Sequence, residues 1–175
     1  DACTHVVTPF QRGEGHARGR EDGKIVVSYA WIEDCVAQKK IVDVDAKALY
    51  APLRDAEGVD GFGTLCVAVD GYDGQEKLDI VELIEAAGAR VDEDVGTRTT
   101  HLVCRRFGTP AYARAVESGR VEIVNHLWVE DCIRQWTLLP ARANERYAKA
   151  GAEIECEMAL ERERIEAVIP KGAHI

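Results

Sequence analysis

The chain has 175 residues, of which 46% are hydrophobic and 30% are charged, an ordinary composition for a globular protein that can bury a core. Its 22 Lys and Arg residues against 31 Asp and Glu residues give a net charge of −9. Such a surface repels a phosphate backbone, which disfavours direct nucleic-acid binding. No apolar run approaches the roughly 20 residues of a membrane-spanning helix, so no membrane role is expected.

Two stretches of the sequence occur twice in the same order. Residues 4–7 (THVV) return as 100–103 (THLV), and residues 31–35 (WIEDC) return as 128–132 (WVEDC). The two landmarks keep their separation to within one residue, which predicts a tandem duplication of a folding unit of about a hundred residues. A β–α–β segment precedes the Thr-His strand only in the second copy. We therefore expect the chain to open inside the first copy.

The first copy is predicted to contain strands at 4–7 and 25–27 and a helix at 29–38 that is capped by Ser28. Residues 8–23, between the strands, include four glycines. Glycine disfavours a helix interior, so the middle helix of this copy is predicted to be short or missing.

Residues 41–61 join the two copies. Apolar residues recur along this linker, which predicts that it packs against the copies. These residues are Ile41, Val42, Val44, Leu49, Tyr50 and Leu53.

The second copy, 62–147, is predicted to have the element order β-α-β-β-α-β-α. Its first strand, 65–69, is a continuous apolar run, as expected of a strand that is covered on both faces. We expect it to be central, flanked by parallel strands at 89–91 and 101–104. The predicted helix caps of this copy are Asp73, Thr109 and Asn125.

The six cysteines contain no C-x-x-C pair, and Cys35 and Cys132 occupy equivalent positions of the repeat. We interpret the cysteines as reduced core thiols, with disulfide bonds or a metal site as the less favoured alternative. His5 and His101 lie in repeated strands without a closed set of metal ligands, which favours packing roles. No metal and no cofactor are expected.

A Thr-His strand, a glycine-bounded helix and a strand that leads into Trp-x-x-Asp-Cys together resemble the BRCT domain. The positions that carry this structural signature are Thr4, Trp31, Gly88, Thr100 and Trp128. Within the family, the strings at 49–55 and 124–132 are most similar to multi-BRCT proteins of plants. The resemblance covers roughly residues 1–147. It implies an α/β fold of tandem repeats, each with a four-stranded parallel sheet flanked by helices, of which the first is incomplete.

The resemblance divides the chain into four parts. Residues 1–40 are expected to be the C-terminal part of a first repeat, 41–61 a linker, 62–147 a second repeat and 148–175 an acidic tail. The tail is rich in glutamate and has helical propensity. We interpret it as a solvated helix or a disordered segment, with docking on the module or on a partner as the alternative.

Most family members are non-catalytic adaptors of the nuclear DNA-damage response, and many tandem pairs bind phosphoserine or phosphothreonine peptides. The resemblance thus implies a monomeric, nuclear protein-interaction module that binds a partner protein or phosphopeptide and is not an enzyme. A phosphate-independent pair with a scaffold role is the alternative. A nucleotide-binding enzyme is less favoured, since the sequence has no G-x-G-x-x-G or Walker motif.

In the family, phosphate is bound by a Ser or Thr and a backbone N–H after the first strand and by a Lys that opens the second helix. The second copy has Asp70 and Ala111 at these positions. A carboxylate repels phosphate, so only the first copy is expected to bind it; its hydroxyl would lie in the part that is absent. The candidate residues of the first copy are Arg12, His16, Arg18 and Arg20. The alternative is a solvated loop of mixed charge.

Overall fold

A computed structural model describes the backbone of residues 3–168 and the side chains of residues 3–165. In chain order the strands and helices are β1 His5–Val7, α1 Glu14–Glu21, β2 Ile25–Val27, α2 Tyr29–Gln38, β3 Cys66–Asp70, α3 Gly74–Ala86, β4 Arg90–Asp92, β5 His101–Cys104, α4 Pro110–Ser118, β6 Glu122–Val124, α5 His126–Gln135 and α6 Gly151–Val168. Single 3₁₀ turns lie at Ala48–Tyr50, Phe62–Thr64 and Glu145–Ala148. The predicted order of elements in the second copy is confirmed.

The second copy is built on a four-stranded parallel sheet with the strand order β4-β3-β5-β6. The prediction of a central strand at 65–69 is confirmed, since β3 starts one residue later and pairs in parallel with β4 and β5. Val67 and Val69 pack on α3 and α5, whereas Ala68 packs on α4 at the opposite face. This alternation explains the continuous apolar run, because helices cover both faces of the strand.

Two of the four predicted helix caps form the expected hydrogen bond. The side chains of Thr109 and Asn125 each accept a hydrogen bond from a backbone N–H in the first turn of α4 and α5. Asp73 and Ser28 occupy the cap positions of α3 and α2, but neither side chain caps its helix. The hydroxyl of Ser28 donates instead to the carbonyl of Leu49 in the linker.

The first copy contributes a parallel pair of strands, β1 and β2, covered by the short helix α1. The prediction of a short or missing middle helix is confirmed as a short one. Gly19 is buried within α1, and a Cβ there would lie 3.0 Å from Val6 and 3.3 Å from Val26. The glycine therefore lets the helix backbone lie directly on the strands.

The tryptophan of the repeated Trp-x-x-Asp-Cys motif has the same contacts in both copies. Trp31 Nε1 donates to the carbonyl of Val42 at 3.0 Å, and Trp128 Nε1 donates to the carbonyl of Leu139 at 2.8 Å. Each indole also stacks on the histidine of the Thr-His strand, with ring centroids 4.6 Å apart in the first copy and 4.8 Å in the second. The two landmarks of the sequence repeat are thus in contact, and both histidines have packing roles.

The aspartate of the same motif binds a tyrosine 16 residues further along the chain. Tyr50 donates to Asp34 Oδ2 at 2.6 Å, and Tyr147 donates to Asp131 Oδ2 at 2.9 Å. Residues 41–50 thus pack on the first copy as residues 138–147 pack on the second.

The linker packs as predicted, with one exception. Val42, Leu49 and Tyr50 are buried, and Leu53 is partly buried and bonds through its backbone to the loop after β1. Ile41 was expected to pack with them, but its side chain is 79% exposed. Trp31 binds the carbonyl of Val42 and so holds Val42 inward, which leaves the preceding residue, Ile41, on the outside of the turn.

The interpretation of the tail as solvated is wrong for the first turns of α6. The main core is the apolar cluster between the sheet of the second copy, α3 and α5. Ile154 is fully buried in this main core, and Met158 packs against it. The backbone N–H of Ala152 donates to the carbonyl of Arg105 at 3.0 Å, which ties the helix to the end of β5. The last residues of the predicted tail, 169–175, lie outside the described residues.

None of the helices in the described part of the chain is long and apolar enough to cross a membrane. The same residues contain no cluster of His, Cys, Asp or Glu that could hold a metal ion. All six cysteines are free. Cys66, Cys104 and Cys132 are buried, whereas Cys3 and Cys156 are exposed, so the interpretation as core thiols is wrong for those two.

Hydrogen exchange should show the first copy to be less protected than the second. The separate cluster in the first copy has only four buried residues, whereas the main core has 21. Amides of β2 should therefore exchange at least about tenfold faster than those of β6, because local opening costs less where less apolar surface is buried. Equal protection of the two strands would contradict this expectation.

Candidate functional site

The two copies meet at an ionic junction around Lys47. Lys47 Nζ lies 2.7 Å from Asp34 Oδ2 of α2 and 2.7 Å from Asp79 Oδ2 of α3. The hydrogen bond from Lys47, with a second from Tyr50, holds the pKa of Asp34 below its ordinary value. One linker lysine thus connects a helix of each copy.

Apolar contacts support the same junction. Ala30 of α2 packs against both the main core and the smaller core of the first copy, and Leu49 is buried in the main core. The linker thus packs against the copies as its apolar residues predict, and α2 packs beside it through Ala30. The junction is therefore a continuous packed interface rather than a flexible connection between two beads.

A groove of about 470 Å³ opens beside this interface, between the linker, α3, the start of α5 and α6. We call it the junction groove. Its apolar lining consists of Ala46, Ala48, Leu49, Ile80, Leu83, Met158 and Ala159. Its carboxylates are Glu76, Asp79, Glu130 and Glu155. Two cations, Lys47 and Arg162, and the buried His126 also line it.

The carboxylates of the junction groove differ in how far they are neutralised. Glu155 accepts a bidentate pair of hydrogen bonds from Arg105, which lowers the pKa of this carboxyl. Glu76 lies 3.9 Å from Arg105, and burial together with the neighbouring Glu155 raises its pKa. Burial also raises the pKa of Glu130, which lies 3.1 Å from Arg134. The groove therefore carries negative charge with incomplete compensation.

In the second copy, Asp70, the residue expected to repel phosphate, is hydrogen-bonded within the chain. Thr109 donates from its hydroxyl to Asp70 Oδ2 at 2.5 Å, and Thr109 Oγ1 accepts the capping hydrogen bond from the backbone N–H of Tyr112. Ala111 is buried at the start of that helix. The arrangement provides neither a cation nor a free hydroxyl at these positions.

The four candidate residues of the first copy do not converge. Arg12 directly precedes α1, and its guanidinium carbon lies 5.2 Å from the ring centroid of Phe10. Arg18 and Arg20 lie in the last turn of the same helix, and His16 is half-buried between these ends. Gly13, the cap residue, provides no side-chain cap for the first N–H groups of α1, and Arg12 and Glu14 are its neighbours along the chain.

Sequence reasoning did not identify the residues of the junction groove. Lys47 is an ordinary lysine in a linker, and nothing in its neighbourhood along the chain indicates two carboxylate partners. Glu76 and Glu130 occupy exposed-looking positions of amphipathic helices. The only available signal was the helical apolar spacing of Ile154 and Met158 in the tail, which indicates a docked helix.

Comparisons with known proteins identify relatives along most of the chain. A sequence profile described as "twin BRCT domain" matches residues 65–128. A BRCT domain-containing protein of Arabidopsis thaliana is 32% identical over 157 residues, covering 88% of this chain and 12% of the relative. PAX-interacting protein 1 of Danio rerio is 24% identical over 131 residues, with 75% and 14% covered. DNA repair protein rev1 of Schizosaccharomyces pombe is 31% identical over 105 residues, with 59% and 11% covered. The chain therefore spans 11–14% of the length of these relatives.

Two solved structures share the fold. Yeast Rtt107, in its crystal structure with Mms22, superposes with a TM-score of 0.73 at 18% identity, covering 83% of this chain and 32% of that one. The BRCT3,4 pair of Schizosaccharomyces pombe Rad4 superposes with a TM-score of 0.59 at 23% identity, covering 78% and 74%.

Replacing Lys47 should loosen the junction. Lys47→Met removes both ion pairs, and partly exposed pairs of this kind contribute about 1 kcal/mol to the free energy of unfolding. Urea denaturation should therefore show a loss of about that size, whereas Lys40→Met, at an exposed lysine, should cost less than about 0.5 kcal/mol. Equal losses in the two variants would contradict the junction.

The effect of Lys47→Met should depend on pH. Because the folded-state pKa of Asp34 is lowered, its ion pair stabilises the protein above the unfolded pKa of about 3.9 and is lost as pH falls through the folded value. The difference in stability between the two proteins should thus shrink below about pH 4. A constant difference from pH 7 to pH 3 would contradict this assignment.

Replacing Arg105 should release α6. Arg105→Met removes the bidentate contact to Glu155, and hydrogen bonds to charged groups are worth about 1.5–3 kcal/mol each. Endoproteinase Glu-C should then cleave at the glutamates of α6 at least about fivefold faster. Arg164→Met, at an exposed position of the same helix, is the control and should leave the cleavage rate unchanged.

Proposed function

The chain belongs to the tandem BRCT family, and we propose that it is a non-enzymatic protein-interaction module of a nuclear genome-maintenance protein. The junction groove carries this proposal, because the linker, α3, α5 and α6 enclose a concave surface beside the interface of the two copies that is large enough for several side chains. The names of two relatives, PAX-interacting protein 1 and DNA repair protein rev1, support an interaction role in DNA repair. The partner is a segment of another protein, bound by a monomeric chain.

We further propose that the first copy can bind phosphate at the start of α1. Arg12 and the uncapped N–H groups of this helix provide a cation and donors side by side, which is the combination that a dianion requires. Arg18 and Arg20 stand at the opposite helix end, where the dipole disfavours an anion. Phosphate recognition would thus depend on Arg12 rather than on the four candidates together.

Phosphate-independent binding is the second candidate function. It is favoured by the bond between Thr109 and Asp70 in the second copy, which leaves no donor for a phosphate there. Glu14, in the first turn of α1, also places a carboxylate next to Arg12. In this alternative the junction groove binds the side chains of an unmodified partner segment.

Matched peptides separate the two candidates. A peptide library with a fixed central phosphoserine and the same library with serine are titrated against the full chain by fluorescence anisotropy. If phosphate is bound as proposed, Arg12→Ala should cost about 1.5–3 kcal/mol of binding free energy, which is roughly a tenfold or greater loss of affinity. Arg18→Ala is the control at the other end of the helix and should change the affinity less than about twofold.

Two outcomes would redirect the proposal. Equal affinity for phosphorylated and plain peptides would remove phosphate recognition and leave the unmodified segment as ligand. Absence of binding to both libraries by the folded chain would contradict the interaction module itself. Asp70→Ser should leave the affinities unchanged, because phosphate binding is assigned to the first copy alone.

A further inference from the structure

We propose that the junction groove binds a basic segment of the partner, in which a Lys or Arg side chain enters the groove next to an apolar residue. This inference rests on the proposed interaction function and deepens it by stating the chemistry of the ligand. It concerns the carboxylates of α3 and α5 and the apolar floor between them, and it is independent of phosphate binding at α1.

The floor of the groove suits a side chain with an aliphatic stem. Ile80 and Leu83 of α3 face it from below, and Leu49 closes it on the side of the linker. Met158 of α6 borders it as a flexible wall that adapts to shape. A Lys or Arg places its methylene groups on such a floor while its charged end reaches the rim.

The rim suits a cation because four carboxylates but two cations line the groove, and one of these cations is already engaged. Lys47 is bound by Asp34 and Asp79, so it offers little charge to a ligand. His126 is buried, and burial lowers its pKa, so it is neutral at pH 7. Arg162 also lines the groove, and its side chain is exposed to solvent.

Two carboxylates remain for the ligand. Glu76 shares Arg105 with the better-placed Glu155, at 3.9 Å against 2.8 Å. Glu130 shares Arg134 with Asp131, which lies 3.6 Å from that guanidinium. A ligand cation in the groove would add a second positive partner at whichever of these carboxylates it reaches.

The same charges argue against other occupants. Phosphorylated or acidic segments would be repelled by the excess of carboxylates over cations that line the groove. A second copy of this chain carries a net charge of −9 and would be repelled as a whole. A basic segment has the opposite charge, and the negative chain would also increase its rate of association.

Arginine and citrulline peptides test the role of charge. The probe is an acetylated heptapeptide of Gly and Ser with Arg at its centre and Leu two residues later; the matched peptide has citrulline, a neutral isostere, in place of Arg. The Arg peptide should bind the full chain at least about tenfold more tightly than the citrulline peptide. Methyl signals of Ile80, Leu83 and Met158 should shift on titration, which locates the peptide in the groove.

Variants of the rim make the test specific. Glu76→Gln and Glu130→Gln should each reduce the preference for arginine at least about threefold, with thermal melts confirming that each variant is folded. Glu85→Gln, at an exposed carboxylate of α3 outside the groove, should leave the preference unchanged. The preference should also fall with increasing salt, since it is electrostatic.

The result that overturns this inference differs from the result that overturns the proposed function. Equal affinity for the Arg and citrulline peptides, or titration without any shift of the three methyl signals, would overturn the basic-segment inference alone. Binding of the phosphorylated or the plain peptide library would then still support the interaction module. Only the failure of those libraries to bind would contradict the module.

Discussion

One buried tryptophan holds together the strand, the helix and the following segment of each copy. Trp31 and Trp128 each stack on a strand histidine and donate the indole N–H to a carbonyl 11 residues further on. A buried N–H without a partner would cost about 1–3 kcal/mol, so this bond fixes the path of the segment after the helix. Without the hydrogen bond from Trp31, residues 41–50 would only tether one copy to the other. With this bond, they pack on the first copy as part of its fold.

The junction follows from that path. Once the linker is held against the first copy, its 3₁₀ turn brings Lys47 between Asp34 and Asp79, and Leu49 into the core of the second copy. The charges of Lys47 are used within the protein, and the same is true of Arg105, which binds α6. Four carboxylates and two cations line the groove, and Lys47 is already paired within the chain. A ligand would therefore encounter an excess of negative charge.

The sequence predicts the fold well because the signals that define it are local or periodic. The apolar run at 65–69 and the caps Thr109 and Asn125 each depend on neighbours within a few residues, and the repeat supplies their order. The docking of α6 is only the alternative interpretation of the sequence because glutamates dominate its composition, while its attachment depends on Arg105, 50 residues away. The groove could not be predicted for the same reason: its carboxylates come from helices that only tertiary packing brings together.

The two copies use one scaffold but expose different chemistry at the equivalent edge of the sheet. In the second copy Thr109 is bound to Asp70, and α6 places Glu155 on Arg105, so hydroxyl and cation are both engaged within the chain. In the first copy the helix start beside Arg12 has no side-chain cap. The two proposals therefore assign a phosphate to the first copy and a cation to the junction groove. A ligand that binds at the start of α1 and in the junction groove would need a phosphate and a basic residue in one segment. The phosphate would be repelled by the groove and the basic residue by Arg12, so each charge also opposes binding in the reverse arrangement.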